Sequence, residues 1–177
     1  DKQLTLGYWG VSGLGQPLRY ILSYAEADWK DQIYADPNQW FQNDKTGLGL
    51  PLANLPYLID GDFKLTESSA ILRYLPRRLG KPELLGKTNE DQARVDQILG
   101  VVGDIQSTIG PVIRAGEWEA KKAELFTKFG PKLQELEKFV QPNNALGYLT
   151  VADFRLADFI YLLRNLLPEE TKDLKNL

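Results

Sequence analysis

The sequence predicts a small α+β part followed by a part made of helices only, and three observations carry that reading. The first half alternates short apolar runs with one helical stripe, and it contains the hairpin signature "LPYLIDGDFKLT" around Asp60-Gly61. Residues 79–88, "LGKPELLGKT", carry Gly and Pro near both ends and read as a linker. Beyond them every strong signal has helical period. The expected organisation is therefore residues 1–79 as one domain, 80–88 as linker and 89–177 as an all-helical domain.

Leu4 to Trp9 reads as the first strand. Gly13 to Ala27 places Leu14, Leu18, Ile21, Leu22 and Ala25 on one helical face, and Asp31 to Ala35 reads as a second strand. The stretch "DPNQWFQNDKTGLGLPLA" is predicted as loop, and the hairpin follows it. "ESSAILRYLPRRL" is then a helix with Thr66 in the N-cap position. In the second half, Thr88 with Asp91 marks a helix start, and Val95, Ile98, Leu99, Val102, Ile105, Ile109 and Val112 form one apolar face. A second helix spans about residues 117–140, with a kink expected at Gly130-Pro131. A third opens with "LTVADF", where Thr150 and Asp153 have the spacing of a capping box.

Composition excludes several kinds of chemistry. The 177 residues contain no Cys, no His and no Met. A thiolate nucleophile, a thiolate zinc site and a histidine general base are thus all ruled out. A reactive group belonging to the chain must be a carboxylate, hydroxyl, phenol or amine, or else the substrate supplies it. The net charge of -3 gives no general attraction to nucleic acid or anionic membrane. The opening "DKQLTLGYWG" lacks the apolar core of a signal peptide, which predicts a cytoplasmic protein.

Several residues admit both a structural and a chemical reading. Tyr8 and Trp9, between Gly7 and Gly10 at a strand end, are ordinary core aromatics, or Tyr8 is a phenol that donates to a developing anion. Glu67-Ser68 at a helix start is routine capping, or a site for the ammonium and carboxylate of an amino acid. Pro56 after Asn54-Leu55 suits the first residue of a strand, or a cis bond beside backbone that pairs with an extended ligand. Trp40 and Lys45 read as a surface pair in a loop. Asp104 shares its helix face with Ala93, Gln97, Gly100, Ser107 and Thr108, a small and nearly uncharged surface that suits a dimer interface.

In order, "LGYWGVSGLGQPLRYILSY", "NLPYLIDGDFKLTESSAILRY", "RVDQILGVVGD" and "LTVADF" together resemble the cytosolic glutathione S-transferases, most closely the mu class. The resemblance runs along essentially the whole chain. It implies a thioredoxin-like N-terminal domain of order β-α-β-α-β-β-α followed by an all-α domain. It also implies a detoxifying homodimeric transferase with glutathione as cosubstrate, no metal, and a small hydrophobic electrophile as second substrate. By the same resemblance Tyr8 stabilises the glutathione thiolate. Trp9, Trp40 and Lys45 hold the glycyl end, and Asn54, Leu55 and cis Pro56 meet the cysteinyl unit. Glu67 and Ser68 take the γ-glutamyl end, and Asp104 reaches its amine from the partner subunit. Gly10 and Arg114 belong to the electrophile site, while Thr150 and Asp153 are structural.

The departures are specific. Glu67 stands where mu enzymes have glutamine, Pro37 where they have an arginine, and Arg114 where they have a second tyrosine. Lys45 lies one residue further from Trp40 than usual. The sequence ends at "KDLKNL", where family members continue through further helices. A non-catalytic binding or assembly module and a glutathione-dependent isomerase are the alternative readings.

Overall fold

The computed structural model describes residues 3–177, which fall into two compact units divided after Glu83. In the first, strands β1 (Leu4–Trp9), β2 (Trp29–Tyr34), β3 (Tyr57–Asp60) and β4 (Phe63–Thr66) form one sheet in the order β2-β1-β3-β4. β1 runs parallel to β2 and antiparallel to β3, and β3 is antiparallel to β4. A parallel pair needs a crossover. Helix α1 (Gln16–Tyr24) supplies it, with Pro17 in its first turn and Leu18, Ile21 and Leu22 buried.

The first helix is shorter than its apolar stripe predicts. Gly13 has a φ of +41°, outside helical geometry, so Gly10 to Gly15 forms a loop before α1. The predicted hairpin is present. Asp60 pairs with Phe63 across a two-residue turn, where Gly61 takes a φ of +62°. Helix α3 (Ser68–Arg78) packs against α1, and its Arg78 and Tyr74 both donate to the Asp60 carboxylate at the end of β3.

Two local expectations are corrected. Thr66 is not the N-cap of α3; Glu67 is. The Thr66 hydroxyl instead donates to the carbonyls of Pro51 and Leu52 and holds that loop to β4. The segment predicted as loop after β2 contains a π-helical turn, Gln39–Asp44, and a short helix α2 (Lys45–Gly47).

The second unit consists of α4 (Asn89–Arg114), α5 (Trp118–Phe139), α6 (Val151–Leu166) and the short α7 (Pro168–Thr171). Residues 80–88 include a 3-10 turn, Pro82–Leu85, in which Leu84 and Leu85 are buried. Helix α4 packs on both α5 and α6. Val95, Ile98, Val102, Ile105 and Ile109 bury one face of α4, while Leu125, Phe129, Leu133 and Leu136 do so from α5. α5 continues unbroken through Pro131. The capping box at α6 is complete: Asp153 accepts from the Thr150 amide and hydroxyl, and also from the Ala145 amide. No helix among the described residues is long and apolar enough to cross a membrane.

Candidate active site

Tyr8 ends the buried run of β1. Its ring is 7% exposed and is gripped by the following loop. A Cβ on Gly15 would lie 2.4 Å from Tyr8 Cδ1, and one on Gly13 would lie 2.9 Å from the hydroxyl. These glycines are therefore required by close approach to the phenol. The backbone amide of Leu14 donates to the Tyr8 hydroxyl at 3.1 Å. With that lone pair engaged, the phenol's own proton remains for another acceptor.

Arg19 fixes this corner, and its role has no local signature in the sequence. Its Nε donates to Asp31 at 2.9 Å, and its terminal nitrogens donate to the carbonyls of Val11 and Trp9. The guanidinium also lies 5.9 Å from the Tyr8 ring centroid. One side chain of α1 thus ties together β2, the end of β1 and the loop beyond it.

The aromatic wall beside Tyr8 is built around Tyr34, 2% exposed. Tyr34 stands edge-on to Trp9, Trp40 and Tyr57 at 6.3, 5.5 and 6.3 Å between ring centroids. Trp40, predicted as a surface residue, is 2% exposed and stacks on Tyr57 at 6.0 Å. Its burial is the correction: the loop folds back as a π-turn and drives the indole into the cluster. Tyr57 in turn needs Gly7, because a Cβ there would meet its ring at 2.2 Å.

The Tyr34 hydroxyl donates to Asp44 Oδ2 at 2.6 Å and lies 2.9 Å from the Tyr57 hydroxyl. A phenol has one proton, and the carboxylate can only accept, so the chain runs Tyr57 to Tyr34 to Asp44. Burial first, and then the Asp44 carboxylate, push the Tyr34 hydroxyl well above the usual phenol range. Burial also raises Tyr57. Both phenols are neutral at physiological pH.

The π-turn spans the residues from Trp40 to Lys45. The Lys45 amide donates to the Trp40 carbonyl, an i→i+5 bond in place of the α-helical i→i+4. The Lys45 ammonium then lies 5.6 Å from the Phe41 ring centroid, and Phe41 lies 6.0 Å from Trp9. Lys64 secures the far side of the segment by donating to the Leu48 carbonyl at 2.6 Å.

Asn54, Leu55, Pro56, Glu67 and Ser68 meet where β3 begins and α3 starts. The Leu55–Pro56 bond is cis. Asn54 accepts from the Leu55 amide at 2.9 Å, and its own amide donates to Glu67 Oε1 at 3.4 Å. Glu67 is exposed at φ 70°, ψ 111°, and Ser68 is the first residue of α3. A non-glycine residue at positive φ stores local strain, and such strain is concentrated at functional sites.

The structure therefore brings Tyr8, Trp40 and Leu55 into one buried cluster, with Trp9 packed on it, and joins Asn54 to Glu67. Gly10 is exposed at the start of the loop, where a Cβ would meet Ile33 at 3.3 Å. Asp104 and Arg114 belong to the helical unit, and both are exposed on α4. The hydroxyls of Ser107 and Thr108 donate to the Asp104 carbonyl, so they satisfy their own helix. Ala93, Gln97 and Gly100 are exposed beside them, and a Cβ on Gly100 or Gly103 would meet nothing within 4 Å.

The strand order, the packed α1 and α3 and the helical unit that follows in sequence define a thioredoxin-like domain with an all-helical successor. Comparison with known proteins agrees. Residues 4–77 match the family described as Glutathione S-transferase, N-terminal domain. Glutathione S-transferase Mu 6 of Mus musculus is 39% identical over 166 residues, covering 89% of this chain and 74% of that protein. Glutathione S-transferase B of Cavia porcellus is 37% identical over 183 residues, covering 98% and 82%. The crystal structure of the glutathione S-transferase from Ascaris lumbricoides aligns with a TM-score of 0.79 at 27% identity, over 97% of this chain and 86% of that one. The chain belongs to the glutathione S-transferase family, whose members are transferases with glutathione as cosubstrate, and it is similar to mu-class members.

Proposed function

We propose that this protein joins the glutathione thiolate to small hydrophobic electrophiles, with the Tyr8 hydroxyl stabilising the thiolate. The observation that carries the reading is the Tyr8 phenol at the end of β1, oriented by the Leu14 amide and held by glycine contacts. An amide that donates to the phenol oxygen polarises it and strengthens its own donation to sulfur. Each unit by which the thiol pKa falls corresponds to about 1.4 kcal/mol of preference for thiolate. The thiol proton passes to solvent, the thiolate forms the new S–C bond by displacing the electrophile's leaving group or adding to its activated double bond, and no protein cysteine is needed.

In this reading the first domain, residues 1–79, binds glutathione. Lys45 and Trp9 take the glycyl carboxylate, with Trp40 backing them. The Leu55 backbone and Asn54 meet the cysteinyl unit beside Pro56. Ser68 and the first amides of α3 take the γ-glutamyl carboxylate, and Glu67 takes its ammonium. Gly10 keeps the loop after β1 open for the electrophile, and Arg114 on α4 is the candidate electrophile contact of the helical domain, residues 89–177. The working form is a cytoplasmic, detoxifying homodimer that joins along the outer face of α4, where Asp104 extends towards the partner's γ-glutamyl amine. The exposed, small and nearly uncharged character of that face supports this part.

Retention on immobilised glutathione, together with turnover of a generic electrophile, tests the proposal. Tyr8→Phe should still be retained, while its kcat falls by about one order of magnitude or more. An unchanged kcat removes Tyr8 from the mechanism. A folded wild type that is not retained favours a non-catalytic module.

A further inference from the structure

The Asp44 carboxylate immediately precedes Lys45, and both end the same π-turn. An acidic group at that place is a liability for any site that takes a ligand carboxylate on Lys45. Left free, it can pair with the ammonium or repel the incoming anion. The structure disposes of it inward. Asp44 Oδ2 accepts from the buried Tyr34 hydroxyl at 2.6 Å, and Tyr34 accepts from Tyr57 at 2.9 Å. The Lys45 ammonium meanwhile lies on the outer side of the turn, over the exposed Phe41 ring.

We propose that Tyr34 is a positioning residue, a buried latch whose hydroxyl turns Asp44 away and thereby leaves Lys45 free to receive the carboxylate of an extended thiol ligand. The inference rests on the glutathione-binding reading above, but it concerns residues to which that reading gives no ligand contact. Tyr57 extends the latch into β3, so the charge-bearing turn is fastened to the sheet by a directed chain of hydroxyl donors. The latch acts on binding and leaves the reacting sulfur untouched. It should therefore appear in KM and not in kcat.

The test compares glutathione with its glycyl monoethyl ester, which lacks the carboxylate, in steady-state turnover by the full chain. Tyr34→Phe should raise KM for glutathione by roughly tenfold, leave kcat within about twofold and leave KM for the ester nearly unchanged. Adding Asp44→Asn to Tyr34→Phe should return KM for glutathione most of the way to wild type, because the freed acid is then neutral. Equal rises for both thiols, a parallel loss of kcat, or no rescue by Asp44→Asn would each overturn the latch. Thermal melts establish that the variants fold. Where Tyr34→Phe does not, Asp44→Asn alone decides: KM for glutathione should stay within about twofold, and a tenfold rise overturns the proposal. A wild type that takes the ester as readily as glutathione removes the carboxylate site, and the latch with it. A wild type that turns over neither thiol refutes the glutathione reading itself.

Discussion

Leu14 presents its backbone amide to the Tyr8 hydroxyl across 3.1 Å, so the loop after β1 sets the direction in which the phenol can donate. Gly15 makes the contact possible. It has φ −83° and ψ −30°, which any residue adopts, so alanine there is opposed by the Tyr8 side chain, nearest at 2.4 Å, and not by the backbone angle. Gly15→Ala should cost about 1–3 kcal/mol of stability by overpacking, and should lower kcat with little change in KM for glutathione. Chemical denaturation and steady-state kinetics check both parts. A variant with wild-type kcat would show that the position of the ring does not matter.

Glu67 separates backbone from side chain. At φ 70° its backbone is strained, whereas glycine adopts that angle freely. Glu67→Gly and Glu67→Ala should lose glutathione affinity to the same extent, read by calorimetry. Only the glycine variant should gain stability relative to the alanine variant, by about 1 kcal/mol. Equal stabilities would mean that Glu67 stores no strain.

The π-turn predicts tolerance to a deletion. Removal of Asn43 converts the i→i+5 bond between Trp40 and Lys45 into an α-helical i→i+4 bond, and keeps the lysine over the same face. KM for glutathione should remain within about threefold of wild type. A loss of affinity as large as that of Lys45→Ala would show that the wider turn is needed for its own geometry.

Asp60 gives a pH signature. The hydrogen bond from Arg78, assisted by that from Tyr74, holds its carboxyl below the usual carboxylate range. A depressed folded-state pKa stabilises above the unfolded value of about 4, and that contribution is lost as pH falls through the folded value. Asp60→Asn should cost about 1–3 kcal/mol near neutrality, with the gap to wild type closing below about pH 4. Urea titrations across pH 3–7 would read the convergence, and a gap that widens in acid would contradict the assignment.

The legible parts of the chain were those whose cause lies within a few residues. The hairpin depends on Gly61 between apolar runs, and the start of α6 depends on Thr150 and Asp153; both are local. The buried face of α4 follows from period alone. The π-turn carried no such mark, because "QWFQND" has neither helical period nor a cap. Trp40 looked like a surface residue since nothing nearby announces that Tyr34 and Tyr57 wait across the sheet for its ring. Arg19 and Asp31 meet through the α1 crossover, and the partner of Tyr8 is a backbone amide with no residue signature. The site residues that could be named came from the family resemblance; the groups that hold them in place came only from the fold.

The carboxylate of Asp153 gathers donors from Ala145 and Thr150, all within one short stretch of chain. Such a knot closes at small loop entropy and needs no distant strand or helix to be in place first. Helix α6 can accordingly register its first turn early, offering Val151, Leu156 and Phe159 as a ready surface for α4, the long helix that packs on it.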